Sequence, residues 1–81
     1  MVKVFEVSSG NKISDDIESV GTYASLIQAE TSVKRHIQTY ANKKVNYNDI
    51  SKKLIRDNTA ILMEYERVYC IIKEYELDKT T

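Results

Sequence analysis

The chain has no proline and no tryptophan, and among its 81 residues stand one cysteine, one histidine and two glycines. Each shortage removes a class of answers. A lone thiol, Cys70, rules out an internal disulfide, and no His/Cys cluster has metal-ligand spacing, so a reducing, cytoplasmic setting and the absence of a metal or cofactor are expected. No Gly-rich phosphate loop, CxxC pair, GxSxG elbow or HExxH helix occurs. Met1 to Val7 is too short and polar for a signal peptide, and no apolar run approaches the ~18 residues of a membrane span. Both glycines lie within the first 21 residues, so the remainder has no strong breaker and favours long regular elements.

Net charge is also missing: twelve basic side chains balance twelve acidic ones. The balance conceals a sorting. Between residues 34 and 56 stand Lys34, Arg35, Lys43, Lys44, Lys52, Lys53 and Arg56 against Asp49 alone, which gives +6, while each flank carries −3. Segregation of this kind concerns partners rather than fold. It also has a plain structural explanation, because Lys and Arg suit the exposed faces of helices. The flanks are too weakly acidic for a mimic of DNA.

With 42% hydrophobic residues the composition is that of a folded chain. A single domain over 1–81 is expected. A chain this short buries only about 60% of its unfolded surface, and self-association to a homodimer or a partner would add stability.

The β-branched, aromatic run Val2 to Val7 reads as a strand ending in the turn formers Ser8-Ser9-Gly10-Asn11, and Ile17 to Tyr23 as its antiparallel partner. Ser25 with Gln28 three residues on forms a capping box that opens a helix. Leu26, Glu30, Val33, Ile37, Tyr40 and Lys44 then recur at spacings of four and three, which leaves Arg35, His36, Thr39, Asn42 and Lys43 toward solvent. Asn48 is read as the N-cap of a second helix, with Ile50, Leu54 and Ile55 inward and Lys52, Lys53 and Arg56 outward. From Arg67 to Asp78 the run Val68-Tyr69-Cys70-Ile71-Ile72 followed by alternation suits a central strand. The fold expected is α+β, a small antiparallel sheet of about three strands packed against two helices in the order β-β-α-α-β. The alternative is N-terminal strands followed by a long helical hairpin, since Leu54, Asn58, Ile61, Tyr65, Val68, Ile72 and Tyr75 also keep helical spacing.

The segments Val4-Phe5-Glu6-Val7-Ser8-Ser9-Gly10, Val20 to Leu26 leading into Gln28-Ala29-Glu30, and Ile72 to Asp78 resemble those of very small bacteriophage and prophage accessory proteins. The resemblance covers about half of the chain, with Val45 to Glu66 as an insertion, and carries no catalytic or ligand-binding residue. It implies strands, a capped helix and a closing acidic strand, in a protein of the host-cell cytoplasm that binds a host or defence protein.

Catalysis finds few candidates. His36 stands beside Lys34 and Arg35 and lacks a nucleophile, Cys70 lies among apolar neighbours, and the acid pairs Asp15/Asp16, Glu64/Glu66 and Glu74/Glu76 read as a turn and solvated strand edges. An enzyme is not expected. Tyr23, Tyr40 and Tyr65 fall on apolar stripes and read as core with the hydroxyl at the rim. Tyr47, in a polar connector flanked by lysines, suits a partner anchor, a base-stacking platform or a loop residue tucked against the helices.

The reading preferred is a non-enzymatic binding module that docks on a host or defence protein through Arg35, Lys43, Lys44, Tyr47, Lys52, Lys53 and Arg56. Nucleic-acid binding through the same basic face is the alternative, weakened by overall neutrality. Sequestration of a small anion such as a nucleotide is a third.

Overall fold

The computed structural model describes residues 2–14 and 16–77. Five strands and one helix follow one another as β1 (Val2–Asn11), β2 (Ile17–Tyr23), α1 (Leu26–Ala41), β3 (Ser51–Ile55), β4 (Ala60–Tyr65) and β5 (Val68–Leu77), with a short 3₁₀ turn at Tyr47–Asp49 before β3. All pairings are antiparallel and the sheet order is β2-β1-β5-β4-β3. The fold is therefore α+β, but with five strands and one helix, which corrects both the three-strand, two-helix expectation and the helical hairpin.

The correction lies between residues 46 and 66. The expected second helix is the 3₁₀ turn and edge strand β3, and β4 was not anticipated. Asn46, not Asn48, caps the turn, its side chain accepting from the Asn48 N–H at 3.1 Å. The β3–β4 link holds Arg56, Asp57 and Asn58 at φ of 53°, 57° and 68°, and the link from β4 to β5 holds Glu66 at 52°. Asn and Asp tolerate the left-handed region because their short polar side chains bond locally. Asp57-Asn58 is therefore a hairpin signal without glycine.

At the N-terminal end, the cluster Ser8 to Asn11 continues β1 instead of turning. β2 spans the residues expected of it, but pairing shifts between Val7↔Gly21 and Ser8↔Ser19 and leaves Val20 as a bulge. Ser25 caps α1 as read, accepting from the Gln28 N–H at 3.2 Å. The helix closes at Asn42, which takes φ 55° and donates its N–H to the Thr39 carbonyl at 3.3 Å, so Lys44 lies beyond it.

Register decides which side chains meet the helix. Val7 faces Ile72 and Ser9 faces Cys70 across β1–β5, and Ile72 faces Ile61 and Cys70 faces Met63 across β5–β4. Val7, Met63, Val68, Cys70 and Ile72 are buried under Ala29, Val33 and Ile37 of α1. Val45 and Ile50, on the segment after the helix, complete the core. Ser9, buried among them, donates its hydroxyl to the Tyr69 carbonyl at 3.2 Å. A helix ~10 Å across spans about two strands set ~4.8 Å apart, so one helix covers only part of one face of five strands. Among the described residues no helix lies on the opposite face.

Gly10 makes room for an aromatic ring on that open face. The ring of Tyr69 lies across Gly10 so closely that a Cβ there would run into the phenolic end of the ring and turn it aside. An aromatic side chain lying over a cross-strand glycine in this way shields backbone that would otherwise be bare.

Candidate functional site

The basic block does not form one surface. Arg35 sits on the flank of α1 above β2, lining a hollow with Thr22, Tyr23 and Ser32. Lys52 and Lys53 are successive residues of β3, so they point to opposite faces of the sheet. Arg56 belongs to the β3–β4 turn. Lys44 and Tyr47 remain together, joined by Lys34 and Gln38 of the helix, which were not among the expected site residues, while Lys43 stands apart at the Tyr65 ring.

Their grouping follows from two anchors. Val45 is 3% exposed and Ile50 7%, so the segment leaving α1 is pinned to the core twice. The polar residues around those anchors are held outward. Lys34, Gln38, Lys44, Val45, Asn46 and Tyr47 line an open groove of about 500 Å³. Tyr47 is 39% exposed, its ring centroid lies 5.5 Å from the Lys34 ammonium, and its hydroxyl reaches Glu30 Oε2 at 3.4 Å. Lys52 donates to Glu30 Oε1 at 2.7 Å, and that bond raises the Lys52 ammonium above its ordinary value. Lys43 lies 5.9 Å from the Tyr65 ring centroid, and Tyr65 raises its pKa in the same sense, with a smaller contribution from Glu66.

The groove therefore has one internal anion, Glu30, already engaged by Lys52 and Tyr47. Among the described residues Lys34, Lys43 and Lys44 have no carboxylate within 4 Å. The result is an excess of two cations, Lys34 and Lys44, in the groove of the exposed Tyr47 ring, with Lys43 apart at the Tyr65 ring, a surface suited to a carboxylate-bearing partner.

The residues weighed for catalysis are placed elsewhere. His36 is half-buried, not solvent-exposed, and its Nε2 stands 3.7 Å from Glu18 Oε1 of β2. Cys70 is fully buried, and burial pushes its thiol up, so it has the environment of an inert core residue. Glu64 is bridged by Lys12 and Glu74 by Lys3, the latter at 3.7 Å. Asp15 of the first acid pair lies outside the described residues, as does Asp78. No group of three His, Cys, Asp or Glu side chains that could hold a metal occurs among the described residues. Nor is any helix among them long and apolar enough to cross a membrane. Of the tyrosines expected in the core, Tyr23 and Tyr65 pack against it, with the Tyr23 hydroxyl 2.6 Å from that of Ser32, whereas Tyr40 is 51% exposed.

No family profile, curated protein or solved structure matches the chain.

Proposed function

We propose that this chain is a non-enzymatic binding module that takes an acidic segment of a partner protein into the groove around Tyr47. The observation that carries the reading is the pair Lys34 and Lys44, with no carboxylate within 4 Å among the described residues, lining one groove with the exposed Tyr47 ring and held there by the anchors Val45 and Ile50. A nucleic acid is the weaker partner. Strong phosphate-backbone binding draws on roughly six to ten cation contacts, while here Lys52 is engaged by Glu30 and Lys53 lies on the far face. The sequence resemblance to phage accessory proteins extends the proposal to its setting: a host or defence protein as partner, modulated or inhibited by the contact.

The test compares a fluorescent poly-glutamate peptide with a single-stranded oligonucleotide of equal charge, each titrated at low and moderate salt. The peptide is expected to bind at least as tightly as the oligonucleotide, and binding should vanish in Lys34→Gln/Lys44→Gln but persist in Lys53→Gln. Preferential, salt-steep binding of the oligonucleotide, lost in Lys53→Gln as well, would overturn the assignment.

A further inference from the structure

β5 carries apolar side chains on both of its faces. Val68, Cys70 and Ile72 lie under α1, while Tyr69 and Ile71 between them point to the face that no helix covers. β4 repeats the pattern: Met63 is buried beneath the helix side, and Leu62 lies opposite Ile71 on the open side. A continuous apolar run in adjacent central strands is the signature of a sheet covered on both sides. This chain supplies a cover for one side.

We infer that a second copy of this chain covers the open face, packed sheet against sheet as a two-layer sandwich. The patch runs over four strands: Val4 with Tyr75, Ile71 with Leu62, and Ile55 beyond them, with the Tyr69 ring at its lower end. Tyr75 is 41% exposed, beyond the point at which the pairing of β4 with β5 ends.

Three observations select a second copy over a different partner. The first is area. The five strands, 5 to 10 residues long, at a spacing of ~4.8 Å and a rise of ~3.4 Å make a stepped face of roughly 600 Å², or about 1,200 Å² for two copies, the lower bound of the standard interface class. The second is charge. The carboxylates on this face are matched within it: Glu6 stands opposite Lys73 in register and Glu64 is bridged by Lys12, which leaves Lys53 of the edge strand β3 as a single surplus cation. A face whose carboxylates are matched internally, with one surplus cation at its edge, offers little to an oppositely charged stranger and little repulsion to its own copy. The third is the state of the edges. β2 is bulged at Val20 and β3 carries Lys52 and Lys53, so edge-to-edge addition is blocked and the face is left as the route to association. A two-fold axis lying between the sheets above Ile71 sets the apolar patch on itself, about 10 Å apart.

The experiment is light scattering on the full chain from about 5 to about 500 μM, together with the concentration dependence of its thermal midpoint. The wild type should show twice the chain mass at the upper end and a midpoint that rises with concentration. Ile71→Lys, on a face outside the core, should raise the dimer dissociation constant by at least about 30-fold, and Leu54→Lys, an exposed position on the helix side, should leave it unchanged. Should Ile71→Lys fail to fold, Leu62→Thr supplies the same test, and the wild-type midpoint needs no variant. A wild type that stays monomeric with a concentration-independent midpoint overturns the proposal, and so does a dimer that survives Ile71→Lys or is abolished by Leu54→Lys. None of these readouts depends on the acidic-partner assignment of the groove.

Discussion

The two faces of this sheet are built from alternate residues of the same strands, yet they follow different rules. On the helix side Val7, Met63, Cys70 and Ile72 lose almost all contact with water, and the one polar side chain among them, Ser9, is hydrogen bonded. On the open side Ile71, Leu62 and Tyr69 remain half-buried among Glu6, Lys53, Glu64 and Lys73. The first face is an interior fixed by close packing, and the second is a mixed surface. The difference shows that the helix, not strand propensity, decides which residues carry stability.

The sharpest way to break this comparison is to truncate matched residues on the two sides. Ile72→Ala should destabilise the fold by about 2–5 kcal/mol, and Ile71→Ala by less than half as much at concentrations too low for association, as read from urea midpoints. Equal losses would show that the open face is core as well. Next in size is Gly10→Val, which drives a side chain into the Tyr69 ring and should cost about 1–3 kcal/mol. Pairing it with Tyr69→Ala should recover part of that loss, and a double-mutant cycle measures the coupling.

Smaller effects sharpen the same contrast at the element ends. Ser25→Ala removes the acceptor for the Gln28 amide and should cost about 1 kcal/mol, felt on the helix side. Arg56→Gly relieves a left-handed residue far from the helix and should stabilise by up to about 1 kcal/mol. The least of the series is alkaline. Burial raises the Cys70 thiol, so the folded protein keeps a proton that the unfolded chain gives up near its ordinary value of 9.0, and stability falls as pH rises through that range. Denaturant melts at neutral and alkaline pH should show a shallower decline in Cys70→Val than in the wild type.

Where the sequence was informative, a local rule and the tertiary context agreed. The Ser25 cap, the Val33 and Ile37 stripe and the apolar run of β5 each state one structure. β3 is different: an exposed edge strand needs no buried alternation, and Ser51-Lys52-Lys53-Leu54-Ile55 is composed of residues that also suit a helix. Nothing local separates the two until its pairing with β4 is known. The hairpin clue was Asp57-Asn58, hidden by the absence of glycine. The groove was half legible for a related reason. Lys44 and Tyr47 stand out by charge and chemistry, but Lys34 and Gln38 join them only because Val45 and Ile50 fold the segment back over the helix, and the same fold sends Lys43 to Tyr65 instead. Charge counting along a chain also cannot see that Lys52 and Lys53 face opposite ways, since a period of two appears only when the element is known to be a strand.

β1 and β5 pair over their full length at the middle of the sheet, from Val2↔Leu77 to Asn11↔Val68. During synthesis at ~5–20 residues per second, the first hairpin and the helix emerge several seconds before the strand that joins them to the second hairpin. Through that interval Phe5 and Val7 lack their neighbours Glu74 and Ile72, and the inner edge of β1 stands open to any other nascent chain on the same message. The arrangement makes the late-emerging strand the keystone. It ties the risk of misassembly to translation speed between residues 24 and 68, where a pause would lengthen the exposure of an unpaired central strand.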